Sequence, residues 1–310
     1  MAITAAMVKE LREMTGAGMM DCKKALTETD GDMDKAVEFL REKGLASAAK
    51  KAGRIAAEGL VATSISADGK TAAIVEVNSE TDFVAKNDTF RNYVAQVAAQ
   101  ANETNAADIE AFLAEPWSLD ASKTVAEELS SQIAIIGENM NIRRFEKIVA
   151  ENGAVASYIH AGGKIGVLVE AITDADSDVV QECLKNVAMQ VAALSPKYTS
   201  DKEVDQDYIA HEKEILMAQA RNEKPDAADK IIEGMVMGRI KKELKEICLL
   251  DQVYVKAEDG KQSVGAYVEA YAKANGINLT IKRFIRYETG EGLEKKSENF
   301  AEEVAKQMGM

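Results

Sequence analysis

The sequence predicts an α+β protein that combines a small N-terminal helical module, a duplicated α+β core, a helical hairpin inserted in the second copy, and a C-terminal helix. Three observations support this prediction. The composition is 46% hydrophobic and 29% charged with only three prolines, which is typical of a helix-rich globular chain. Short β-branched runs alternate with segments of helical periodicity. The chain also repeats itself at an ungapped offset of 94 residues, which indicates internal duplication.

Residues 1–55 predict a module of three helices. Thr4 is placed to cap the first helix, and a glycine-rich run ends it. Apolar spacing predicts a second helix over about 19–29 and a third over 33–43, which ends at Gly44 because glycine often closes helices. Three helices in so short a segment bury only a small core, so some apolar groups stay uncovered.

Met19 and Met20 have two interpretations within this module. They follow a glycine-rich turn, where two methionines fit an adaptable contact surface. Burial in the small core is an equally good interpretation, because the module has few other large apolar residues to bury.

Two copies of an α+β unit follow, over residues 56–150 and 151–290. Their first strands and helices align at the offset of 94, as at Glu76 and Glu170. The final strand repeats at an offset of 139 instead, so the second copy holds an insertion of about 45 residues. Each copy reads as strand, turn, strand, helices and final strand, which predicts a sheet with helices on one face.

The insertion, over about residues 200–250, has helical periodicity in two arms separated by a turn at 222–226. This pattern predicts an antiparallel helical hairpin. Its apolar stripe fits a protruding hairpin that dimerises as well as one that folds back on the body. The tail, residues 291–310, predicts a short C-terminal helix that docks either on its own body or on a partner.

Residues 78–88 have the clearest functional character, because Phe83 stands in a polar run between a predicted strand and a predicted helix. One interpretation makes Phe83 a hydrophobic staple on the following helix and Asp82 its cap. The repeat favours another, because the positions 94 residues later are Asp176 and Ser177. The acid is shared and fits a capping role, whereas the aromatic is special to the first copy. We therefore predict that Phe83 is exposed and directed at a partner.

Charge and cysteine content exclude several classes of protein. A net charge of −14 argues against a general binder of nucleic acid or membrane surfaces. The three cysteines are scattered, so we predict neither a disulfide framework nor a zinc site. No apolar signal core begins the chain, so we expect a cytoplasmic protein.

Signatures of catalysis are missing from the sequence. The glycines at residues 16–18 and 162–163 lack the spacing of nucleotide-binding loops, and the two histidines, His160 and His211, suggest neither a triad nor a metal set. We predict a protein without covalent chemistry, cofactor or bound metal. The alternatives are a helical adaptor or holdase for unfolded chains, and an enzyme of unfamiliar type.

Several long motifs together resemble the elongation factor Ts family, the guanine-nucleotide exchange factors of elongation factor Tu. They include residues 15–26, which are similar to the N-terminal signature of the family, and residues 81–85, which are similar to its exchange motif. Residues 136–144 and the segment from His160 to 169 are similar to its core segments. The resemblance extends over essentially the whole chain in the expected order.

The resemblance implies a ubiquitin-associated-like N-terminal module, two related core subdomains, a coiled-coil hairpin and a C-terminal helical module. The implied partner is elongation factor Tu, GDP-bound or nucleotide-free, with no direct contact to nucleic acid or membrane. A homodimer or two-plus-two complex through the hairpin is compatible with it. Insertion into the partner's nucleotide domain, which disturbs its Mg²⁺ site, is implied for Thr81, Asp82, Phe83 and Val84. Supporting contacts are implied for Met19, Met20, Lys23, Ile136, Gly137 and His160.

Overall fold

The structure is a computed structural model that describes residues 3–294. Three helices form the N-terminal module: α1 Ala5–Thr15, α2 Met19–Glu28 and α3 Met33–Lys51. Thr4 caps α1, because its hydroxyl oxygen accepts a hydrogen bond of 3.3 Å from the backbone N–H of Met7. The small core of the module consists of Val8, Leu11, Cys22, Ala25, Leu26 and Ala36.

The first α+β copy has the predicted order of strands and helices. Its elements are β1 Glu58–Ile65, β2 Thr71–Ser79, α4 Asp82–Ala85, α5 Asp88–Glu103, α6 Ile109–Ala114, β3 Pro116–Trp117, β4 Asp120–Thr124, α7 Val125–Ile136 and β5 Met140–Val149. Strands β1, β2 and β5 form an antiparallel sheet in that order. The short β3–β4 hairpin was not predicted, and it inserts Trp117 into the core on the helical side of the sheet.

The second copy repeats this plan with the insertion. Its elements are β6 Gly153–His160, β7 Ile165–Thr173, α8 Ser177–Leu194, α9 Gln206–Glu223, α10 Asp229–Ile247, α11 Val264–Asn275 and β8 Leu279–Glu288. Strands β6, β7 and β8 form an antiparallel sheet with the same strand order. Helices α9 and α10 form the predicted hairpin and bury Ala220, Ile232, Val236 and Ile240 along their seam.

The two sheets pack face to face, and helices cover their outer faces. The inter-sheet core includes Val61, Ile74, Ile148, Val155, Leu168 and Ile285. Each sheet also has a β-bulge at an equivalent place, after Glu76 in one and after Glu170 in the other. Shared strand order and a shared bulge agree with the internal repeat of the sequence.

The remaining observations concern the C-terminus, the length and hydropathy of the helices, and the cysteines. The predicted C-terminal helix, over residues 297–308, lies outside the residues that the structure describes. Within residues 3–294, no helix is both long and apolar enough to cross a membrane. Cys22, Cys183 and Cys248 are all buried free thiols.

The prediction that Gly44 ends the third helix is wrong. Helix α3 continues to Lys51, and Gly44 is buried within it against α7. A Cβ at this position would lie 3.7 Å from the carbonyl oxygen of Ser130 and 3.8 Å from the Cβ of Ala134. Packing against α7 explains both the small residue and the uninterrupted helix, because tertiary contacts override the weak intrinsic preference of glycine. This contact joins the module to the first copy.

Gly44→Ala should stabilise the protein by about 0.5–1 kcal/mol, because alanine is the better helix former and its Cβ meets only ordinary van der Waals contacts here. The shift in the urea unfolding midpoint measures this gain. A destabilised variant would contradict a helical Gly44 and would restore the predicted helix end.

Candidate functional site

The aromatic turn, residues 80–86, connects strand β2 to helix α5 and contains the one-turn helix α4. Thr81 caps α4, because its hydroxyl oxygen accepts a hydrogen bond of 3.4 Å from the N–H of Val84. The inner side of α4 is anchored in the core, where buried Ala85 and half-buried Val84 pack in the same cluster as Leu60 of β1. The turn is therefore mounted on the first sheet.

Phe83 points away from this anchor, and its side chain is 79% exposed. The ammonium group of Lys86 lies 5.9 Å from the centre of its ring, a cation–π contact at the surface. The staple interpretation is wrong, because the ring is not folded onto the helix that follows. A large exposed aromatic on an anchored turn is the kind of side chain that anchors protein interfaces.

Asp82 does not cap a helix, so the predicted capping role is wrong. Thr81 caps α4 and Asn87 caps α5, while Asp82 forms an ion pair of 2.6 Å with Lys86. The hydrogen bond from Lys86 holds the pKa of Asp82 below its ordinary value, and the positive charge of Lys164 acts in the same direction. Asp82 is therefore a half-exposed anion beside Phe83.

The second copy has no comparable turn. Helix α8 begins directly at Ser177, the counterpart of Phe83, and continues without the interruption that separates α4 from α5. Asp176 occupies the N-cap position of α8 without a side-chain capping bond. The Ser177 side chain instead lies against Gly69 and accepts a hydrogen bond from Gln181.

Ile136 and Gly137 lie beside the aromatic turn at the end of α7. Gly137 has a φ of 90°, which ends the helix in a conformation that favours glycine, and it is exposed. Ile136 is half-buried in the helix-side core. The next residue, Glu138, reaches across to Thr81, whose hydroxyl donates to it at 2.6 Å. This bond holds the end of α7 against the aromatic turn.

His160 is exposed at the end of β6, where its Nδ1 lies 3.0 Å from the hydroxyl oxygen of Tyr158. The turn that follows is fixed to β1, because the N–H of Val61 donates to the carbonyl oxygen of Gly163 at 2.7 Å. Lys164 of the same turn forms an ion pair with Glu58 and lies close enough to Asp82 to lower its pKa. Both loops therefore meet over the start of β1.

Met19, Met20 and Lys23 form a separate surface on the N-terminal module. All three are exposed in α2, with 57% and 74% exposure for the two methionines. The core interpretation of the two methionines is therefore wrong. Helix α2 packs on α1 and α3, so this surface belongs to the module and not to the aromatic turn.

Sequence reasoning missed three residues that hold the aromatic turn: Glu80, Glu138 and Asn139. Glu80 and Glu138 are 58 residues apart in the chain, and neither belongs to a periodic pattern. Among the described residues, no group of three or more His, Cys, Asp or Glu side chains is arranged to hold a metal ion.

An exposed aromatic and a neighbouring anion, both held on a rigid α+β frame with further exposed apolar residues on a helical module, define a protein that acts by binding another protein. Comparison with known proteins identifies the family. The family model described as elongation factor TS matches residues 80–291.

Three similar proteins are each named elongation factor Ts. Those of Clostridium perfringens (strain SM101) and Clostridium botulinum (strain Eklund 17B) are 57% and 56% identical over 308 residues, which cover 99% of both chains. That of Trichlorobacter lovleyi is 53% identical over 315 aligned positions and covers both chains completely. The chain belongs to the elongation factor Ts family, and its role is in translation elongation. Membership supports a role as nucleotide exchange factor of elongation factor Tu.

Proposed function

We propose that this protein binds elongation factor Tu in its GDP-bound form, accelerates the release of GDP, and leaves a nucleotide-free complex to which GTP binds. The observation that carries the proposal is Phe83, an exposed aromatic on a capped and anchored turn in a chain of this family. The reaction changes binding equilibria and makes or breaks no covalent bond.

The mechanism follows from the geometry that Mg²⁺ requires. Mg²⁺ generally demands near-ideal octahedral geometry, so a small displacement of the surroundings of such an ion in the partner would weaken nucleotide binding there. Phe83 and Asp82 enter the nucleotide domain of elongation factor Tu and disturb this site. Asp82 arrives as an anion, because an aspartate carboxyl is ionised at neutral pH, and the bond from Lys86 lowers its pKa further. Val84 follows Phe83 into the contact, and Thr81 holds the turn.

The other predicted surfaces contribute further binding contacts with the partner. Ile136, Gly137 and His160 flank the aromatic turn and support its contact, whereas the α2 surface of Met19, Met20 and Lys23 binds the partner at a second place. The α9–α10 hairpin offers the contact through which a homodimer or a two-plus-two complex would form. We place this work in the cytoplasm, where translation elongation takes place in bacteria such as those of its relatives.

The division of labour along the chain follows the same proposal. Residues 1–55 form the partner-binding module, 56–150 the core subdomain with the exchange turn, and 151–290 the second subdomain with the hairpin. Residues 291–310 form the C-terminal module, most of which lies outside the described residues.

Thermodynamic linkage gives a direct test of the proposal. The chain must bind nucleotide-free elongation factor Tu more tightly than the GDP-bound form, by the same factor by which it weakens GDP binding. Calorimetric titration of both forms should give a difference of at least about tenfold, within the usual range of such couplings. Equal affinities would contradict exchange. Nucleotide-independent binding to many unfolded chains would support the adaptor alternative.

A further inference from the structure

The aromatic turn is held by a carboxylate from outside it. Glu138 accepts hydrogen bonds from the backbone N–H groups of Glu80, at 3.1 Å, and Thr81, at 3.0 Å, both at Oε2. The Thr81 hydroxyl donates to the other oxygen, Oε1, at 2.6 Å. One ionised side chain thus accepts three hydrogen bonds from two consecutive residues just before Phe83, and bonds to charged groups are the strong ones.

A second carboxylate crosses in the opposite direction. Glu80 accepts a hydrogen bond of 2.6 Å from the backbone N–H of Asn139, and the side-chain amide of Asn139 donates to the carbonyl oxygen of Arg54 at 2.7 Å. Glu80 is mostly buried and also pairs with Arg54 at 3.3 Å. Two carboxylates therefore lock the end of β2 to the segment that begins β5.

Comparison of the two copies shows which of these two carboxylate contacts is shared and which occurs only in the first copy. In the second copy, Asp174 stands where Glu80 stands in the first, and it accepts hydrogen bonds of 2.9 and 2.6 Å from the backbone and side chain of Asn278, the counterpart of Asn139. The acid–asparagine lock is thus common to both copies. The counterpart of Glu138 is Ile277, which packs in the core and cannot accept a hydrogen bond. We call the three hydrogen bonds that Glu138 accepts from Glu80 and Thr81 the Glu138 clamp. This clamp occurs only in the copy that carries Phe83.

We propose that Glu138 is a positioning residue for nucleotide exchange, which keeps the aromatic turn in its inserting conformation before the partner arrives. The inference rests on the proposed function. Because the turn is ordered in advance, insertion of Phe83 does not have to overcome the conformational entropy of a loose loop. Glu138 acts through Thr81 and Glu80, and its own contacts lie within the chain.

The test is Glu138→Gln, which keeps the shape of the side chain but replaces one acceptor oxygen with an NH₂ group that cannot accept these bonds. We expect the maximal rate of fluorescent GDP release from elongation factor Tu to fall about tenfold. In the free protein, hydrogen exchange at the amides of Glu80 and Thr81 should become faster, while the core strands keep their protection. Thr81→Val, which removes the hydroxyl's bond to Glu138 and its capping bond from Val84 together, should change both quantities in the same direction.

Two controls separate positioning from general stability. Asp174→Asn weakens the equivalent lock of the second copy, and we expect it to leave GDP release unchanged. In the Phe83→Ala background, Glu138→Gln should cause a much smaller loss of rate than in the wild type, because only Asp82 and Val84 are left to position.

The outcomes distinguish the two proposals. Faster amide exchange in Glu138→Gln with unchanged GDP release would overturn the positioning role alone. A loss of rate in the Phe83→Ala background as large as the loss in the wild type would also overturn it. Wild-type protein that fails to accelerate GDP release would overturn the proposed function and the positioning role together, whereas the amide exchange would still report the clamp.

Discussion

Phe83→Ala should lower the maximal rate of GDP release from elongation factor Tu by about thirtyfold or more, the effect expected when an aromatic anchor worth 2 kcal/mol or more is removed from an interface. The ring is 79% exposed in the free protein, so its removal deletes almost no internal packing. The rate at saturating concentrations of the variant, measured by stopped flow with fluorescent GDP, separates this loss from weaker binding.

Stability and a matched surface change are the controls for Phe83→Ala. The thermal midpoint should change little, because exposed side chains contribute little to folding. Leu119, at the tip of the β3–β4 hairpin, is another large apolar residue with 65% exposure, and Leu119→Ala should leave exchange unchanged. A Phe83→Ala variant that is clearly destabilised but exchanges normally would restore the staple interpretation and remove the basis of the proposed mechanism.

Glu76→Gln should destabilise the fold by about 3 kcal/mol, because it leaves two arginines beside a buried group that no longer carries charge. Glu76 is fully buried and pairs with Arg143 at 3.1 Å and Arg144 at 2.6 Å. It also accepts a hydrogen bond of 2.8 Å from the N–H of Gly290, at the end of the second sheet. The carboxylate therefore joins the two copies. Urea unfolding measures the loss of stability. We place this loss at the low end of the range for breaking a buried ion pair, because both arginines are partly exposed.

The internal repeat again offers the control. Glu170 is the counterpart of Glu76 and is just as buried, but its partners Lys282 and Arg283 are about half exposed and belong to the same sheet. Glu170→Gln should therefore cost less, about 1 kcal/mol, because solvent screens its ion pairs. Equal losses in the two variants would contradict a joining role for Glu76.

The stability that the Glu76 carboxylate contributes should depend on pH in a definite direction. Burial raises the pKa of Glu76, but the hydrogen bonds from Gly290 and Asn78 and the charge of Arg144 outweigh it, and the net pKa lies below the ordinary 4.5. A carboxyl group with a lowered pKa stabilises the fold above its unfolded value and loses that contribution as pH falls through its folded pKa. The difference in free energy of unfolding between wild type and Glu76→Gln should therefore become smaller below about pH 4.5. A difference that grows as the pH falls would contradict this assignment.

The main features could be predicted because the sequence contains two copies of one unit, which can be compared with each other. The order of strands and helices along each copy and the exposure of Phe83 follow from patterns that are visible within the copies, whereas the bulge after Glu76 was not predicted. One error arose where a distant contact decides the local structure, and the other where neighbouring residues supply the caps. Gly44 continues a helix because α7 packs against it, and Asp82 is free of capping because Thr81 and Asn87 supply the caps.

The clamp on the aromatic turn could not be predicted, because hydrogen bonds between segments 58 residues apart leave no periodic signal. Glu138 becomes recognisable only when its carboxylate is seen to meet Thr81. When the two copies are aligned by residue number, however, the replacement of Glu138 by Ile277 in the second copy is visible in the sequence as well.

The most direct test of the exchange function uses a trace of wild-type protein with a large excess of elongation factor Tu that carries fluorescent GDP, in the presence of free GTP. An exchange factor is released unchanged, so we expect nearly all of the fluorescent GDP to be displaced, at a rate proportional to the amount of protein added. Release that stays at the intrinsic rate, or that stops after one GDP per molecule of protein, would contradict the account.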